Sequence, residues 1–414
     1  MGPTLGDVSA ELVTVILVVV VALGFDFTNG FHDTANSMAT SIATGALKPK
    51  VAVALAAVLN LVGAFLSVAV ALTVTNAVVS IQDANGGPDP ALTANNGAAL
   101  LLIILAGLVG GIVWNLVTWL LGLPSSSSHA LFGGLIGATI AGIGWGGVHW
   151  TGDGTKLDGV VGKVILPSLA SPVIAATVAM VGTWLIFRVT RRLGENLNNG
   201  GFRWGQIGTA SLMSLAHGTN DAQKTMGVIT LSLIAYGSWT DTTAIPLWVK
   251  VSCAVAIAAG TYMGGWRIIR TLGKGITEIE PRQGTSAQGA AAAVILASSQ
   301  LGFALSTTHV ATGSIVGTGL GKPGARVRWL VAGRMAVAWF ITLPMAAVVG
   351  AATWKIGDLA GGELASALVM VTILVIASGL MYARSRRNPI TAHNVNDDWE
   401  DPASVLAPSE PVAA

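Results

Sequence analysis

Long apolar runs, separated by short polar segments, make up most of this chain. A helix needs about 20 apolar residues to cross ~30 Å of hydrocarbon, and many segments approach or exceed that length. The segments 129–148 and 305–321 are the weakest candidates, because Gly, Ser and Thr interrupt their apolar runs. The pattern predicts an all-α polytopic membrane protein in which these two segments either span the bilayer or re-enter it. The predicted spans are 12–46, 51–75, 98–122, 129–148, 162–187, 207–235, 246–268, 287–304, 305–321, 329–351 and 364–383.

The composition agrees with a protein that is surrounded by lipid. Of the 414 residues, 52% are hydrophobic and 10% are charged, whereas about a quarter are charged in a soluble domain. The first apolar run has no lysine before it and no small-residue cleavage pattern after it, so it is a span rather than a signal peptide. With Cys253 as its single cysteine, the chain should have no internal disulfide and no structural metal site. The expected environment is the lipid bilayer, and no nucleic-acid partner is expected.

The basic residues predict the orientation of the chain. If the N-terminus is outside and every candidate spans, 17 of the 22 Lys and Arg residues lie inside, four lie outside and Lys224 lies within the membrane. Cytoplasmic loops carry the excess of Lys and Arg in membrane proteins. We therefore expect a multi-pass plasma-membrane protein with its N-terminus outside and its C-terminus in the cytoplasm.

Two polar motifs occur twice, in the same order. The stretch Phe25–Leu47 returns as Leu212–Leu233, and Ser125–His129 (SSSSH) returns as Ser306–His309 (STTH). Five predicted crossings separate the copies, so the second copy would be upside down, an arrangement that many secondary transporters have. The predicted organisation is a first inverted repeat at 12–148, a connecting transmembrane helix at 162–187, a second inverted repeat at 207–321, C-terminal transmembrane helices at 329–383 and a disordered cytoplasmic tail at 384–414.

Polar and charged side chains recur in the longer motif at spacings that put them on one face of a helix. Ionisable groups at membrane depth are costly, so they are functional candidates by default. The alternative is that Asp221 and Lys224, three residues apart, merely neutralise each other. The residues on this face are Asp26, Asn29, Asp33 and Asn36 in the first copy and His217, Asn220 or Asp221, and Lys224 or Thr225 in the second.

Glycines stand inside both copies of the longer motif, at Gly24, Gly30 and Gly218, among Asn and Thr residues. We expect the helices to unwind at these glycines, so the fold should contain discontinuous or re-entrant helices. The exposed carbonyl oxygens, together with side-chain oxygens, would suit Na⁺ or a proton relay.

The shorter motif, at Ser125–Ser128 and at Ser306–Thr308, resembles two helix starts. Ser and Thr cap the free backbone N–H groups there, and such a terminus binds anions. The alternative for one stretch alone is that its hydroxyls bond to their own backbone. Because the stretch is duplicated, we expect both copies to converge on one tetrahedral oxyanion.

Four of the six histidines lie in these motifs. A histidine can relay protons near neutral pH, although a structural histidine is the commoner case. His32 is the one that we assign to coupling, because it adjoins Asp33. Structural and relay roles stay equally open for the other three, which are His129, His217 and His309.

At these motifs the chain resembles the PiT family of inorganic phosphate transporters, in its bacterial low-affinity branch. The family's duplicated G-x-N-D-x-A-N signature reads GFHDTAN at Gly30–Asn36 and GTNDAQK at Gly218–Lys224. His32 in place of Asn, and Gln223-Lys224 in place of Ala-Asn, look like the branch that couples phosphate, or a neutral metal–phosphate complex, to protons. These departures weaken any transfer of a Na⁺ site from sodium-coupled members. The resemblance also implies a homodimer.

The resemblance implies secondary active transport of inorganic phosphate, coupled to H⁺ symport, with no cofactor. Na⁺ coupling, or transport of sulfate or another tetrahedral oxyanion, are the alternatives, and a divalent metal could travel with the phosphate. An enzyme is not expected, because a serine hydrolase needs one asymmetric nucleophilic site and these motifs are duplicated without a Gly-x-Ser-x-Gly elbow. A channel is a further alternative.

The residues fall into two predicted groups. We assign hydroxyl, amide and ammonium groups to phosphate, and carboxylates with their neighbours to the coupling cation. The substrate residues are Ser125, Ser126, Ser127, Ser128, Ser306, Thr307, Thr308, Asn36, Asn220, Lys224 and Thr225, and the cation residues are Asp33, Asp221, His32, Asp26 and Asn29.

Overall fold

The computed structural model describes residues 9–71, 90–151, 158–192, 195–241 and 243–397. Helices make up most of this part of the chain, which confirms the predicted all-α class. Its helices are α1 (Ala10–Ala43), α2 (Pro49–Gly63), α3 (Pro90–Leu120), α4 (Ser127–Ile143), α5 (Leu166–Thr190), α6 (Glu195–Tyr236), α7 (Leu247–Met263), α8 (Trp266–Arg270), α9 (Pro281–Gln300), α10 (Thr307–Gly321), α11 (Trp329–Asp358) and α12 (Glu363–Ser385).

Several predicted spans coincide with helices that are long and apolar enough to cross a membrane. In the described chain these are α1, most of α3, α5 with the turn before it, α11 and α12. Another forms if α7 and the segment Trp266–Gly275 are one span, bent by 60° at its break. The predicted span 207–235 lies inside the 42-residue α6. For 51–75, helix α2 ends at Gly63, and residues 72–75 lie outside the described residues.

The two weakest predicted spans form short helices. Helix α4 has 17 residues and α10 has 15. At 1.5 Å per residue these are about 25 and 22 Å long, less than the thickness of the hydrocarbon layer. Both begin at buried serine and threonine residues in the interior.

Helices α1 and α6 carry the two copies of the longer motif and run antiparallel to each other. Near the end of α1, the Thr44 hydroxyl donates a 2.8 Å hydrogen bond to Gln206, which lies near the start of α6. Midway along both helices, Asp33 and Asp221 lie beside the same hydroxyl, that of Thr307. The matched motifs therefore meet head to tail at the centre of the molecule.

The prediction that these helices unwind at their glycines is wrong. Helix α1 continues through Gly24 and Gly30, and α6 continues through Gly218. The glycines are needed for close packing instead. A Cβ at Gly30 would lie 2.3 Å from the Ile257 carbonyl oxygen, and one at Gly218 would lie 2.2 Å from the Asn60 carbonyl oxygen. Glycine permits such backbone contact between membrane helices.

Helices α4 and α10 use matched glycines in the same way. A Cβ at Gly133 of α4 would lie 2.3 Å from the Leu343 carbonyl oxygen on α11. A Cβ at Gly313 of α10 would lie 2.4 Å from the Pro172 carbonyl oxygen on α5. Each short helix is thus held against a long helix, and this contact fixes where its N-terminus lies.

The outer surface of the helix bundle is apolar. The apolar window of α3 is 78% buried, whereas the windows of α5, α11 and α12 are 28%, 28% and 22% buried. Their outward-facing side chains include Val173, Phe340 and Leu380, all of which are exposed. Helix α3 is therefore central, and the other three present the surface that suits lipid.

The C-terminal segment differs in part from its prediction as a disordered tail. Residues 386–397 form turns that pack against the helices: Val395 is buried, and the Asn396 side chain donates to the carbonyl oxygen of Ile42 (3.2 Å). Residues 398–414 lie outside the described residues.

We predict that Gly30→Ala lowers the thermal stability of the purified protein in detergent, because its Cβ would overlap the backbone of α7. Overpacking of this kind costs about 1–3 kcal/mol. The matched control is Gly24→Ala, where a Cβ meets nothing within 4 Å and the better helix propensity of alanine should leave stability unchanged or higher. Equal unfolding midpoints for the two variants would show that the contact at Gly30 is not needed.

Candidate functional site

The two short helices begin opposite each other, as the shorter motif predicts. Ser126 is the N-cap of α4 and Ser306 is the N-cap of α10, and each hydroxyl accepts a 3.2 Å hydrogen bond from the backbone N–H three residues later. The two starts touch, since the Ser128 hydroxyl donates to the carbonyl oxygen of Leu305 (3.4 Å). The first N–H groups of a helix have no acceptor within it, so two sets of free donors are brought close together.

Asp33 lies at the start of α4. Its Oδ1 accepts a 3.0 Å hydrogen bond from Ser127 and lies 2.6 Å from His32 Nδ1. The other nitrogen of that imidazole lies 3.3 Å from Thr118 Oγ1 on α3. The side chains of Asp33 and His32, predicted to act together, are therefore hydrogen-bonded to each other and held by two further helices.

Asp221 lies at the start of α10, which is the matching position. Its Oδ2 accepts a 3.0 Å hydrogen bond from Thr307 and lies 2.9 Å from His217 Nε2. The same Thr307 hydroxyl lies 3.4 Å from Asp33 Oδ2. A hydroxyl has one proton, so it can donate to only one of the two carboxylates at a time. The Thr307 hydroxyl therefore lies between the two matched carboxylates and donates to one of them at a time.

Lys224 is fully buried, and its ammonium group is enclosed by oxygen atoms. Nζ forms an ion pair with Asp221 Oδ1, donates to Ser128 Oγ at 2.6 Å and donates to the Leu305 carbonyl oxygen at 3.0 Å. These three acceptors use the three protons of an ammonium group. A carboxylate, a hydroxyl and a carbonyl oxygen are also the kind of ligands that a bound alkali cation takes.

Asn36 completes this cluster from α1. Its side-chain nitrogen donates to Thr308 Oγ1 at 3.0 Å and to Thr307 Oγ1 at 3.3 Å. The amide thus ties the middle of α1 to the start of α10. The structure brings together most of the predicted site residues here, which are His32, Asp33, Asn36, Ser125, Ser127, Ser128, Asp221, Lys224, Thr307 and Thr308.

Other predicted site residues lie apart from the cluster or make different contacts. Asn220 donates to Ser299 on α9 at 2.9 Å rather than to a residue of the two helix starts. The hydroxyls of Ser126 and Ser306 cap their own helices, which is the alternative role for such hydroxyls. Thr225 lies beside Asp26 rather than at the helix starts, and Asn29 has a buried side-chain oxygen with no hydrogen-bond partner in the described chain.

The structure adds residues that were left out of the two predicted groups of substrate and cation residues. His217 contacts Asp221 on one side and lies 3.2 Å from Asn60 Oδ1 on the other. The sequence indicated the contact between His217 and Asp221, because residues four apart in a helix are neighbours. Thr118 accepts a 2.7 Å hydrogen bond from Ser125, and only the fold reveals this contact.

Three of these side chains could hold a metal ion. One ligand atom each from Asp33, His217 and Asp221 lies within 4.8 Å of the others. The whole cluster is closed to solvent in this conformation: Asp33 is 2% exposed, Asp221 0% and Lys224 1%. Charged groups in so dry a site interact more strongly than they do in water.

Comparisons with known proteins agree on what the chain is similar to. A family model described as "Phosphate transporter family" matches residues 29–199 and 190–350. A Mycobacterium bovis protein named "Probable low-affinity inorganic phosphate transporter" is 57% identical over 406 residues, covering 97% of this chain and 92% of the relative. A Bacillus subtilis protein with the same name is 43% identical over 345 residues, covering 83% and 97%.

A solved structure described as "The sodium-dependent phosphate transporter" has the same fold. Its TM-score is 0.71 at 20% identity, and the match covers 84% of this chain and 99% of that one. At this identity the likeness concerns the fold alone. The relatives and the family are transporters rather than enzymes. The matched family model and the close relatives show that the chain belongs to the phosphate transporter family, as a multi-pass membrane protein that transports phosphate.

Proposed function

We propose that the chain is a symporter that moves inorganic phosphate into the cell together with a proton. The observation that carries the proposal is the meeting of two helix starts with two carboxylates and a buried lysine. The N–H groups and hydroxyls at Ser127 and Thr307 can bind a phosphate oxygen each, and Lys224 adds a positive charge. An arginine is not required in such a site.

The carboxylates make phosphate binding depend on a cation. Asp33 and Asp221 lie within hydrogen-bond reach of the same hydroxyls that would bind the anion. Like charges repel strongly in a dry interior, so phosphate binds best when a proton or another cation is bound as well. Binding of one then favours binding of the other to the same extent, which is the basis of coupling.

Lys224 favours the proton over Na⁺ as the coupling ion. Its ammonium group already occupies the oxygen cluster that a sodium ion would use, and it compensates the charge of Asp221. Because the Lys224 ammonium group is part of the protein, it cannot be transported with phosphate. Another group must therefore bind the ion that is transported. Na⁺ coupling remains the alternative.

Two questions about the cargo belong to this proposal. Asp33, His217 and Asp221 offer a divalent cation three ligands, which would suit transport of a neutral metal–phosphate complex. Sulfate is the rival anion. Phosphate carries a proton at neutral pH and can donate it to a carboxylate, which sulfate cannot do, so Asp33 and Asp221 favour phosphate.

The architecture also supports an inverted repeat and alternating access. The matched helices α1 and α6 run antiparallel, and the matched helix starts meet at one place. In inverted-repeat transporters one half rocks against the other around such a central site. We further propose, from the resemblance and the basic residues, a plasma-membrane homodimer with its N-terminus outside and its C-terminus in the cytoplasm.

Uptake of radiolabelled phosphate into proteoliposomes tests the symport. We expect an inward proton gradient to drive accumulation, an imposed Na⁺ gradient to add nothing, and excess sulfate to leave the rate unchanged. Accumulation driven by Na⁺ alone would contradict proton coupling, and strong competition by sulfate would contradict the substrate.

We predict that Asp221→Asn lowers coupled uptake more than tenfold while the protein still inserts into the membrane. The variant leaves the Lys224 ammonium buried without its carboxylate, so part of the loss could be instability. The double variant Asp221→Asn with Lys224→Gln removes both charges and should recover thermal stability without recovering uptake. Wild-type uptake in either variant would refute the role of the pair.

We predict that Lys224→Gln makes residual phosphate uptake sensitive to Na⁺. Without the ammonium group, the oxygens of Asp221, Ser128 and Leu305 are free to bind a small cation. The rate in Na⁺ medium should exceed the rate in choline medium for this variant and not for the wild type. The exposed Lys355, changed to Gln, is the matched control and should behave as wild type. A Na⁺ effect of equal size in both variants would contradict the assignment.

A further inference from the structure

One buried carboxylate is not part of the ion-pair cluster. Of the buried Asp and Lys side chains in the described chain, Asp33, Asp221 and Lys224 all have polar partners at the helix starts. Asp26 is 0% exposed and makes no ion pair within the described part of the chain; the polar side chains beside it are the neutral Thr225 hydroxyl and Cys253 thiol. Asp26 lies two turns before Asp33 on the same face of α1, about 10 Å away along the axis.

The groups around Asp26 offer no free positive charge. From α6 it faces Thr225, Asp221 and Lys224, and from α7 it faces Cys253. Lys224 is the one cation in this set, and its ammonium group is already bound to Asp221. The neighbouring helix α3 has no titratable residue between 95 and 120.

An ionised carboxylate in these surroundings would be an uncompensated charge in a dry interior. Such a group takes up a proton rather than remain charged. Asp33 and Asp221 differ, because each accepts a hydrogen bond from a hydroxyl at a helix start and each has a basic partner, His32 for Asp33 and Lys224 for Asp221. Of these three buried carboxylates, Asp26 is therefore the one that pairs with no basic side chain in the described chain.

We propose that Asp26 carries the coupling proton, a role that rests on the proposed symport and deepens it. In the outward-open state Asp26 takes a proton from outside water, and it releases the same proton to inside water after the transporter turns. No other atom or electron is exchanged. With Asp26 neutral, the closed state holds phosphate beside two carboxylates and one ammonium group. An ionised Asp26 adds a further negative charge there and opposes closure around phosphate.

Asn29 lies between the proton site and the phosphate site. It is three residues after Asp26 and four before Asp33 in α1, so all three share one helix face. Its side-chain oxygen is buried and has no hydrogen-bond partner in the described chain. The face thus offers a polar connection between the two sites, through which the protonation of Asp26 can affect phosphate.

The test separates phosphate exchange from proton-driven uptake in proteoliposomes. Exchange of external labelled phosphate for internal unlabelled phosphate needs no net proton movement, whereas uptake driven by a pH gradient does. We expect Asp26→Asn, which fixes the neutral form, to exchange phosphate within about twofold of wild type and to lose acceleration by the pH gradient at least tenfold. Asp26→Glu should keep the acceleration, because it retains a titratable group. The exposed Asp241, changed to Asn, is the control and should keep both activities.

Each outcome bears on one of the two proposals. Acceleration by the gradient in Asp26→Asn, with normal acceleration in wild type, overturns the role of Asp26 and leaves the symport intact. Loss of exchange in a variant that remains monodisperse and thermally stable would place Asp26 in the phosphate site and also overturns the role. If Asp26→Asn does not fold, Asp26→Glu decides: it should keep the acceleration but with a shifted pH optimum of uptake, and a pH optimum identical to that of wild type contradicts the proposal. No response of the wild type to the gradient would refute the symport itself.

Discussion

The buried ion pair between Asp221 and Lys224 is the interaction on which the rest of the site depends. Charges at membrane depth are tolerated only when other groups compensate them. Lys224 achieves this by contacting Asp221 together with oxygens from the starts of α4 and α10. The ammonium group therefore links three segments that are far apart in sequence. In the proposed site phosphate binds where these contacts converge, so opening of the site would have to rearrange them while each charge keeps a partner.

The fold supplies this convergence through close helix packing. Glycines let α4 approach α11 and let α10 approach α5, and this places both helix starts in the interior. Glycines on α1 and α6 serve the same purpose against α7 and α2. Free N–H groups, which a helix normally exposes at its end, are thereby presented at the centre of a membrane protein. The carboxylates of Asp33 and Asp221 lie beside these helix starts and accept hydrogen bonds from Ser127 and Thr307.

Much of this arrangement could be predicted from the sequence, because duplicated polar residues stand out in apolar helices. The caps at Ser126 and Ser306 follow from local hydroxyl chemistry, and helical spacing placed Asp33 and Asn36 on one face. The sequence could not show that Gly30 packs rather than unwinds, since a glycine is compatible with both and only its neighbours decide. Nor could it separate Asp26 from Asp33, because their difference lies in contacts made by other helices.

The central claim is that phosphate binds between the two helix starts. An experimental structure in lipid nanodiscs, determined with and without phosphate, tests this most directly. The account predicts new density within hydrogen-bond distance of the backbone N–H groups of Ser127 and Thr307 and beside Lys224. Density at another place, for example against the arginines near Arg267, with unchanged helix starts, would contradict it.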